Sequence, residues 1–244
     1  MLVNAYFWPS TCETMPPMPP HLLEVIALDA DDAVAAVRGG ADRLELVQDM
    51  STDGLTPSVE CFESIRAAVD VPLRVMLRSH AGFAVSSREL DELCLLAERL
   101  RAAGMEESVL GFLTSTDDVD VAALEAVLGA ARPARWTFHR AIDYAADAAI
   151  AWKAVATLPG VDAVLTAGSA AGVDVAGLTA RLGWEHGAPP WVVGGGLREE
   201  HIAPLRAVGL TRFHVGSRVR YGASWSRPVD VAQVAHWRRL VDAQ

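Results

Sequence analysis

Residues 22–47 read L-L-E-V-I-A-L-D-A-D-D-A-V-A-A-V-R-G-G-A-D-R-L-E-L-V. An apolar run of strand length, Leu22–Leu28, gives way to an Ala-rich helical pattern over Ala30–Arg38, and a second short run, Arg43–Val47, follows two glycines. Gly39 and Gly40 supply the turn at the helix end, where glycine tolerates positive φ. A strand, a helix and a returning strand predict parallel pairing with the helix on the outside. The dinucleotide fingerprint G-x-G-x-x-G does not follow the first strand, where Leu28-Asp29-Ala30-Asp31 stands instead. That counts against an open doubly wound sheet, the competing architecture.

The same rhythm continues along the chain. Further strands are expected at Leu73–Arg78, Val109–Thr114, Arg135–Ala141, Ala163–Gly168, Trp191–Gly196 and Arg212–Ser217. Further helices are expected at Val59–Val69, Arg88–Ala103, Val121–Ala131, Ala148–Leu158, Val173–Trp184, Glu199–Val208 and Val231–Val241. Eight strands recur at about 27 residues, close to the βα unit of an eightfold barrel. The fold class is therefore α/β, a single (β/α)8 TIM-type barrel over residues 21–244. Residues 1–20 read as a flexible Pro-rich extension that lacks the basic start and apolar centre of a signal peptide.

The chain has 244 residues, 51% of them hydrophobic, and a net charge of −10. No Lys/Arg-rich run is present, which argues against nucleic acid as a partner, and no apolar stretch approaches the ~20 residues needed to span a bilayer. Cys12, Cys61 and Cys94 match no zinc or disulfide spacing and fit a reducing compartment. The high apolar content points to a second copy covering part of the surface.

Side chains alternate along a strand, so the charges inside these apolar runs fall into face sets. Glu24 shares a face with Leu22, Ile26 and Leu28, and Glu45 with Arg43 and Val47. Arg78 shares one with Arg74 and Met76, and His139 with Arg135, Thr137 and Ala141. A common inward phase gathers Glu24, Glu45, Arg78 and His139, and unpaired buried charges are costly enough that they must pair, neutralise or meet a ligand. A structural ion-pair layer is the competing reading, above all for Glu24.

W-T-F-H-R-A-I-D, residues 136–143, is a strand whose far end carries His139, Arg140 and Asp143. Catalytic candidates are Glu45, Arg78, His139, Arg140 and Asp143, because imidazole and carboxylate exchange protons near neutrality and guanidinium holds anions. For Asp143 the bland reading is a cap on the next helix. Candidate substrate or anion contacts are Glu24, Thr166, Gly194, Gly195, Gly196, His214 and Ser217, since the loops after the last two barrel strands commonly hold phosphate. Tight packing is the other use for three successive glycines, and a satisfied core histidine the other use for His214. No cofactor is required by these residues, and the expected ligand is a small anionic molecule.

E-V-I (24–26), G-G-A-D-R-L-E-L (39–46), D-G-L-T-P-S (53–58), V-M-L-R (75–78), T-F-H-R-A-I-D (137–143), L-T-A-G (165–168), G-G-G (194–196) and R-F-H (212–214) occur in one order. Together they resemble the copper homeostasis protein CutC family. The resemblance implies a TIM-type barrel, a cytoplasmic homodimer linked to copper tolerance, and copper as a possible ligand. It also implies that Glu24, Glu45, Arg78, His139, Arg140, Asp143 and His214 occupy family motif positions. The family pattern often has cysteine where this chain has Ile26 and Val47, and P-R-G-G-D-F where it has Ser79-His80-Ala81-Gly82-Phe83. Cu(I) favours thiolate and thioether donors, none of which is expected at the rim; the nearest soft-donor cluster in sequence is Cys12, Met15 and Met18.

Overall fold

A computed structural model describes residues 21–184 and 189–243. The expected extension over residues 1–20, with its Cys12, Met15 and Met18 cluster, lies outside the described residues. Eight parallel strands close into a barrel in sequence order: β1 (Leu22–Ala27), β2 (Arg43–Leu46), β3 (Leu73–Met76), β4 (Glu107–Leu110), β5 (Arg135–Phe138), β6 (Val161–Thr166), β7 (Trp191–Val193) and β8 (Arg212–Val215). The helices between and after them are α1 (Ala30–Arg38), α2 (Val59–Ala68), α3 (Ser87–Ala102), α4 (Val121–Ala131), α5 (Ala148–Ala156), α6 (Val175–Arg181), α7 (Glu199–Ala207) and α8 (Val231–Asp242). The helix starts are written locally. Asp29, Ser58, Ser86, Asp120, Asp147, Asp174 and Asp230 each accept a backbone N–H of the first helical turn, satisfying donors that the helix leaves open.

Two strand starts differ from expectation for one reason. β4 begins at Glu107 rather than Val109, and β6 at Val161 rather than Ala163. Glu107 and Asp162 look like loop residues in sequence, but both are bound by Arg74 from inside the barrel. Its Nε donates to Glu107 Oε2 at 2.9 Å, its Nη2 to Asp162 Oδ2 at 2.7 Å, and its Nη1 to Thr137 Oγ1. Since β3 is not a neighbour of β5 or β6, the bonds to Thr137 and Asp162 cross the barrel interior. Arg135 adds a second guanidinium on Glu107 at 2.7 Å, so the buried charges are matched.

The main apolar core lies between barrel and helices, built from residues such as Leu23, Val25, Leu44, Phe62, Leu93, Trp136, Phe213 and Trp237. Inside the barrel, Leu22, Ala163, Leu165 and Val192 form one small cluster, and Ile26, Val47, Met76 and Val109 another. No helix among the described residues is long and apolar enough to cross a membrane.

Candidate functional site

A cavity of about 360 Å³ opens at the C-terminal ends of the strands, the face at which barrel enzymes place their chemistry. Glu45, Arg78, His139, Arg140, Gly195, Gly196, His214 and Ser217 line it, as do the apolar side chains of Ile26, Val47, Met76 and Leu165. Eight of the twelve expected site residues thus surround one space. Glu24, Asp143, Thr166 and Gly194 do not line it, and each has a different occupation.

Glu24 sits at the register position shared by Arg43 on β2 and His214 on β8. Its Oε2 accepts from Arg43 Nε at 2.5 Å and its Oε1 meets His214 Nδ1 at 2.8 Å. Both oxygens have partners within the barrel, and Glu24 does not line the cavity. Burial works to raise its pKa, but Arg43 and the hydrogen bond from His214 outweigh burial and hold it well below the carboxylate range. Glu45 lies next along this line, with Oε2 at 3.3 Å from His214 Nε2. Its Oε1 is buried and has no hydrogen-bond partner. Burial, reinforced by the negative charge of Glu24 and opposed by His214, pushes Glu45 up to about 7. His214, buried between two carboxylates, is raised by Glu45 and Glu24 although desolvation opposes its charge. It is a buried histidine with a carboxylate at each ring nitrogen, linking Glu24 to Glu45, and it also lines the cavity.

Asp143 belongs to a 3-10 turn, Arg140–Asp143, at which the expected strand Arg135–Ala141 stops early. Its fully buried carboxylate accepts from Thr166 Oγ1 at 2.5 Å, Ala167 N at 2.8 Å, Arg181 Nη1 at 2.8 Å and Arg140 Nε at 3.1 Å. Four donors saturate it, so it ties β6 and α6 to the turn and leaves no lone pair for a substrate. Expected among the reacting groups, Asp143 instead stands outside the cavity lining as an anchor, with Thr166 hydrogen-bonded in the same knot.

His139 caps that turn: its Nδ1 accepts the Ala141 N–H at 3.2 Å. The ring proton is therefore on Nε2, which is buried and has no partner. Burial and the charge of Arg78 push its pKa down to about 3, so the imidazole is neutral near pH 7. A neutral ring with an uncommitted N–H is a hydrogen-bond donor rather than a base.

The hydrogen bonds of the Arg78 guanidinium go to backbone carbonyls. Its Nε donates to Gly82 O at 3.2 Å and its Nη1 to Asp53 O at 3.2 Å, while Phe83 lies against the guanidinium with 5.2 Å to the ring centroid. The Thr56 hydroxyl accepts from Arg78 N at 2.8 Å and donates to Arg78 O at 3.0 Å. The D-G-L-T segment therefore holds Arg78 at both backbone and side chain. No carboxylate of the described residues forms an ion pair with it. Arg140, by contrast, is neutralised by Asp143.

The glycines sort by what occupies their side. A Cβ on Gly194 would lie 2.8 Å from His214 Cδ2 and one on Gly195 2.5 Å from Arg140 Nε, whereas Gly196, at φ +87, faces open space. Tight packing explains the first two; Gly196 alone leaves its side free for a ligand.

Sequence reading missed Gly111, against which His139 packs, and the thioethers of Met50 and Met76, both lining the cavity. Met76 was detectable, because it shares its face set with Arg74 and Arg78. The expectation that no soft donor reaches the rim is thereby corrected. Cys61 instead donates to Leu28 O at 3.4 Å and Cys94 sits in α3, so the cavity offers thioether, imidazole and carboxylate but no thiolate of the described residues. Glu24, Glu45 and His214 place possible metal-ligating atoms within 4.8 Å of one another, with His214 Nδ1 on Glu24 Oε1 and His214 Nε2 3.3 Å from Glu45 Oε2.

A model described as the CutC family matches residues 21–219. A CutC family protein of Chromobacterium violaceum is 35% identical over 201 residues, covering 81% of each chain. The human copper homeostasis protein cutC homolog is 33% identical over 202 residues, 81% of this chain and 73% of that one. A crystal structure of CutC from Streptococcus agalactiae is similar at a TM-score of 0.74 and 24% identity, covering 80% of this chain and 98% of the other; it bears on the fold alone. On family match and identity together, this chain belongs to the CutC family.

Proposed function

We propose that this CutC-family barrel takes a small anionic molecule, phosphate- or carboxylate-bearing, at its C-terminal mouth and handles it with acid–base groups. The observation that carries the reading is the Arg78 guanidinium. It is a largely buried cation lining the cavity and positioned by carbonyl oxygens; desolvation opposes its charge, and Asp53 and Glu45 support it only from beyond ion-pair range. A buried charge of that kind is costly unless an opposite charge meets it, and a planar fork of donors suits carboxylate or phosphate. Gly196, Ser217 and Arg218, which line the same cavity, offer further contacts to an anion. No cofactor is required by this reading.

The test is binding of inorganic phosphate, oxalate and citrate followed by calorimetry and thermal shift. Arg78→Met is expected to weaken the best of them by about 10- to 150-fold, the range for a charge-assisted contact worth ~1.5–3 kcal/mol. Unchanged affinity would remove the reading.

Copper is a second reading, favoured by the human relative's name and by the two thioethers at the cavity. Here copper is cargo held by Met50, Met76 and imidazole, donors that suit Cu(I). Competition titration of Cu(I) against a chelator, with M50L/M76L beside the parent protein, tests it; equal affinities count against a mouth site. The family resemblance also supports a cytoplasmic location and a homodimer, the latter measurable by sedimentation.

A further inference from the structure

Building on the small-anion reading above, we propose that the barrel mouth catalyses a proton shift on a carbon adjacent to a carbonyl group, with Glu45 as the base and His139 as the hydrogen-bond donor to the carbonyl oxygen. Three placements lead there. Glu45 lies one residue before the end of β2 and His139 follows β5, three strands apart in a ring of eight, so they approach the cavity from different walls. Arg78 follows β3, between them. A small molecule that rests its anionic group on Arg78 is thereby flanked by both.

Each flanking group has one uncommitted polar atom, and the two atoms are of opposite kind. Glu45 Oε1 is an acceptor with no partner, and His139 Nε2 is a donor with no partner. Both side chains are almost wholly buried and both line the cavity. Elsewhere in the barrel the carboxylates are consumed: Glu24 by Arg43 and His214, Glu107 by two arginines, Asp143 by four donors. A native fold rarely leaves a buried donor and a buried acceptor unmatched in one apolar-walled space. A substrate with a carbonyl oxygen for the one and an acidic C–H for the other matches both.

The atoms balance without a further reactant. Glu45 Oε1 takes the proton from the carbon beside the carbonyl, and the C–H electron pair becomes the C=C bond of an enolate. The carbonyl π pair moves to oxygen, where the His139 N–H stabilises the negative charge. Return of the proton to the same carbon gives exchange or epimerisation; return to the former carbonyl carbon, with the hydroxyl proton passing to the former carbonyl oxygen, gives isomerisation of a hydroxy-carbonyl compound. Neutral imidazole suits this part because its N–H is available and its ring does not compete with Glu45 for the proton, the arrangement known from triosephosphate isomerase. His214, against the other oxygen of Glu45, is a positioning residue. Ile26, Val47, Met76 and Leu165 supply apolar wall beside these groups.

The full chain in D2O is incubated with four probes: pyruvate, oxaloacetate, dihydroxyacetone phosphate and glyceraldehyde 3-phosphate. Proton NMR follows replacement of C–H by C–D. At least one probe is expected to exchange well above the buffer rate. Glu45→Gln is expected to slow it by about 10²- to 10⁴-fold, the usual contribution of a general base, while leaving oxalate binding within a few-fold. His139→Leu is expected to lose most of the rate, with partial recovery in His139→Gln, whose amide restores an N–H. Probes that bind through Arg78 but show no exchange would overturn the proton shift and leave the anion reading standing, and so would exchange unaffected by Glu45→Gln. Failure of all anions to bind would remove both.

Discussion

Gly111 and His139 occupy one space: a Cβ built on Gly111 would stand 2.5 Å from His139 Nδ1 and 2.6 Å from Cε1. The nitrogen in question is the one that accepts the Ala141 N–H and thereby leaves the proton on Nε2. A glycine in the segment after β4 therefore leaves the room in which a histidine after β5 makes this hydrogen bond.

Gly111→Ala is expected to displace the ring. Overpacking of this kind costs about 1–3 kcal/mol, read as a lower urea midpoint. If the anion site depends on His139, ligand affinity falls further than stability does. A variant with native stability and native affinity would show that the ring has room.

Asp143→Ala is expected to be among the most damaging single changes in the barrel. It strands Arg181, whose side chain is only 8% exposed, and breaks the tie between β6, α6 and the turn after β5. Removing one partner of a buried pair costs about 3–5 kcal/mol. Arg78→Met, at a position without an ion-pair partner, is expected to cost much less, and paired urea melts compare the two.

Protonation of His139 opposes the native state. Its pKa is about 3 in the fold against 6.5 when unperturbed, so between these values the unfolded chain binds a proton that the native chain does not. The stabilising contribution is complete above about pH 6.5 and is lost as the pH falls toward 3, with a slope of at most ~1.4 kcal/mol per pH unit. Urea melts at pH 7, 6 and 5 are expected to show this slope flattened in His139→Gln.

Glu45 has the opposite sign. Its pKa, about 7 in the fold against 4.5 unperturbed, means the native chain holds the proton more tightly, so stability is present below about pH 4.5 and lost as the pH rises through 7. Glu45→Gln is expected to raise the melting temperature at pH 8 and to do so less at pH 5. A base that destabilises its own fold is a familiar compromise at functional sites. A lower melting temperature at pH 8 would contradict it.

The amino-acid sequence by itself determined the barrel and much of its mouth. Apolar runs every 27 residues or so, with Asp and Ser caps at the helix starts, are local signals. The period of two along a strand also placed Glu45, Arg78 and His139 on one face before any contact was known. What alternation cannot show is depth. Glu24 and Glu45 look equivalent in E-V-I and L-E-L, yet pairing sets Glu24 level with Arg43 and His214, where both its oxygens are spent, and leaves one oxygen of Glu45 without a partner. Likewise Asp143 resembles a catalytic neighbour of His139 in T-F-H-R-A-I-D until Arg181, 38 residues later, folds onto it. Which titratable groups neutralise one another depends on strand stagger and on partners remote in sequence, and only the closed tertiary structure brings those together.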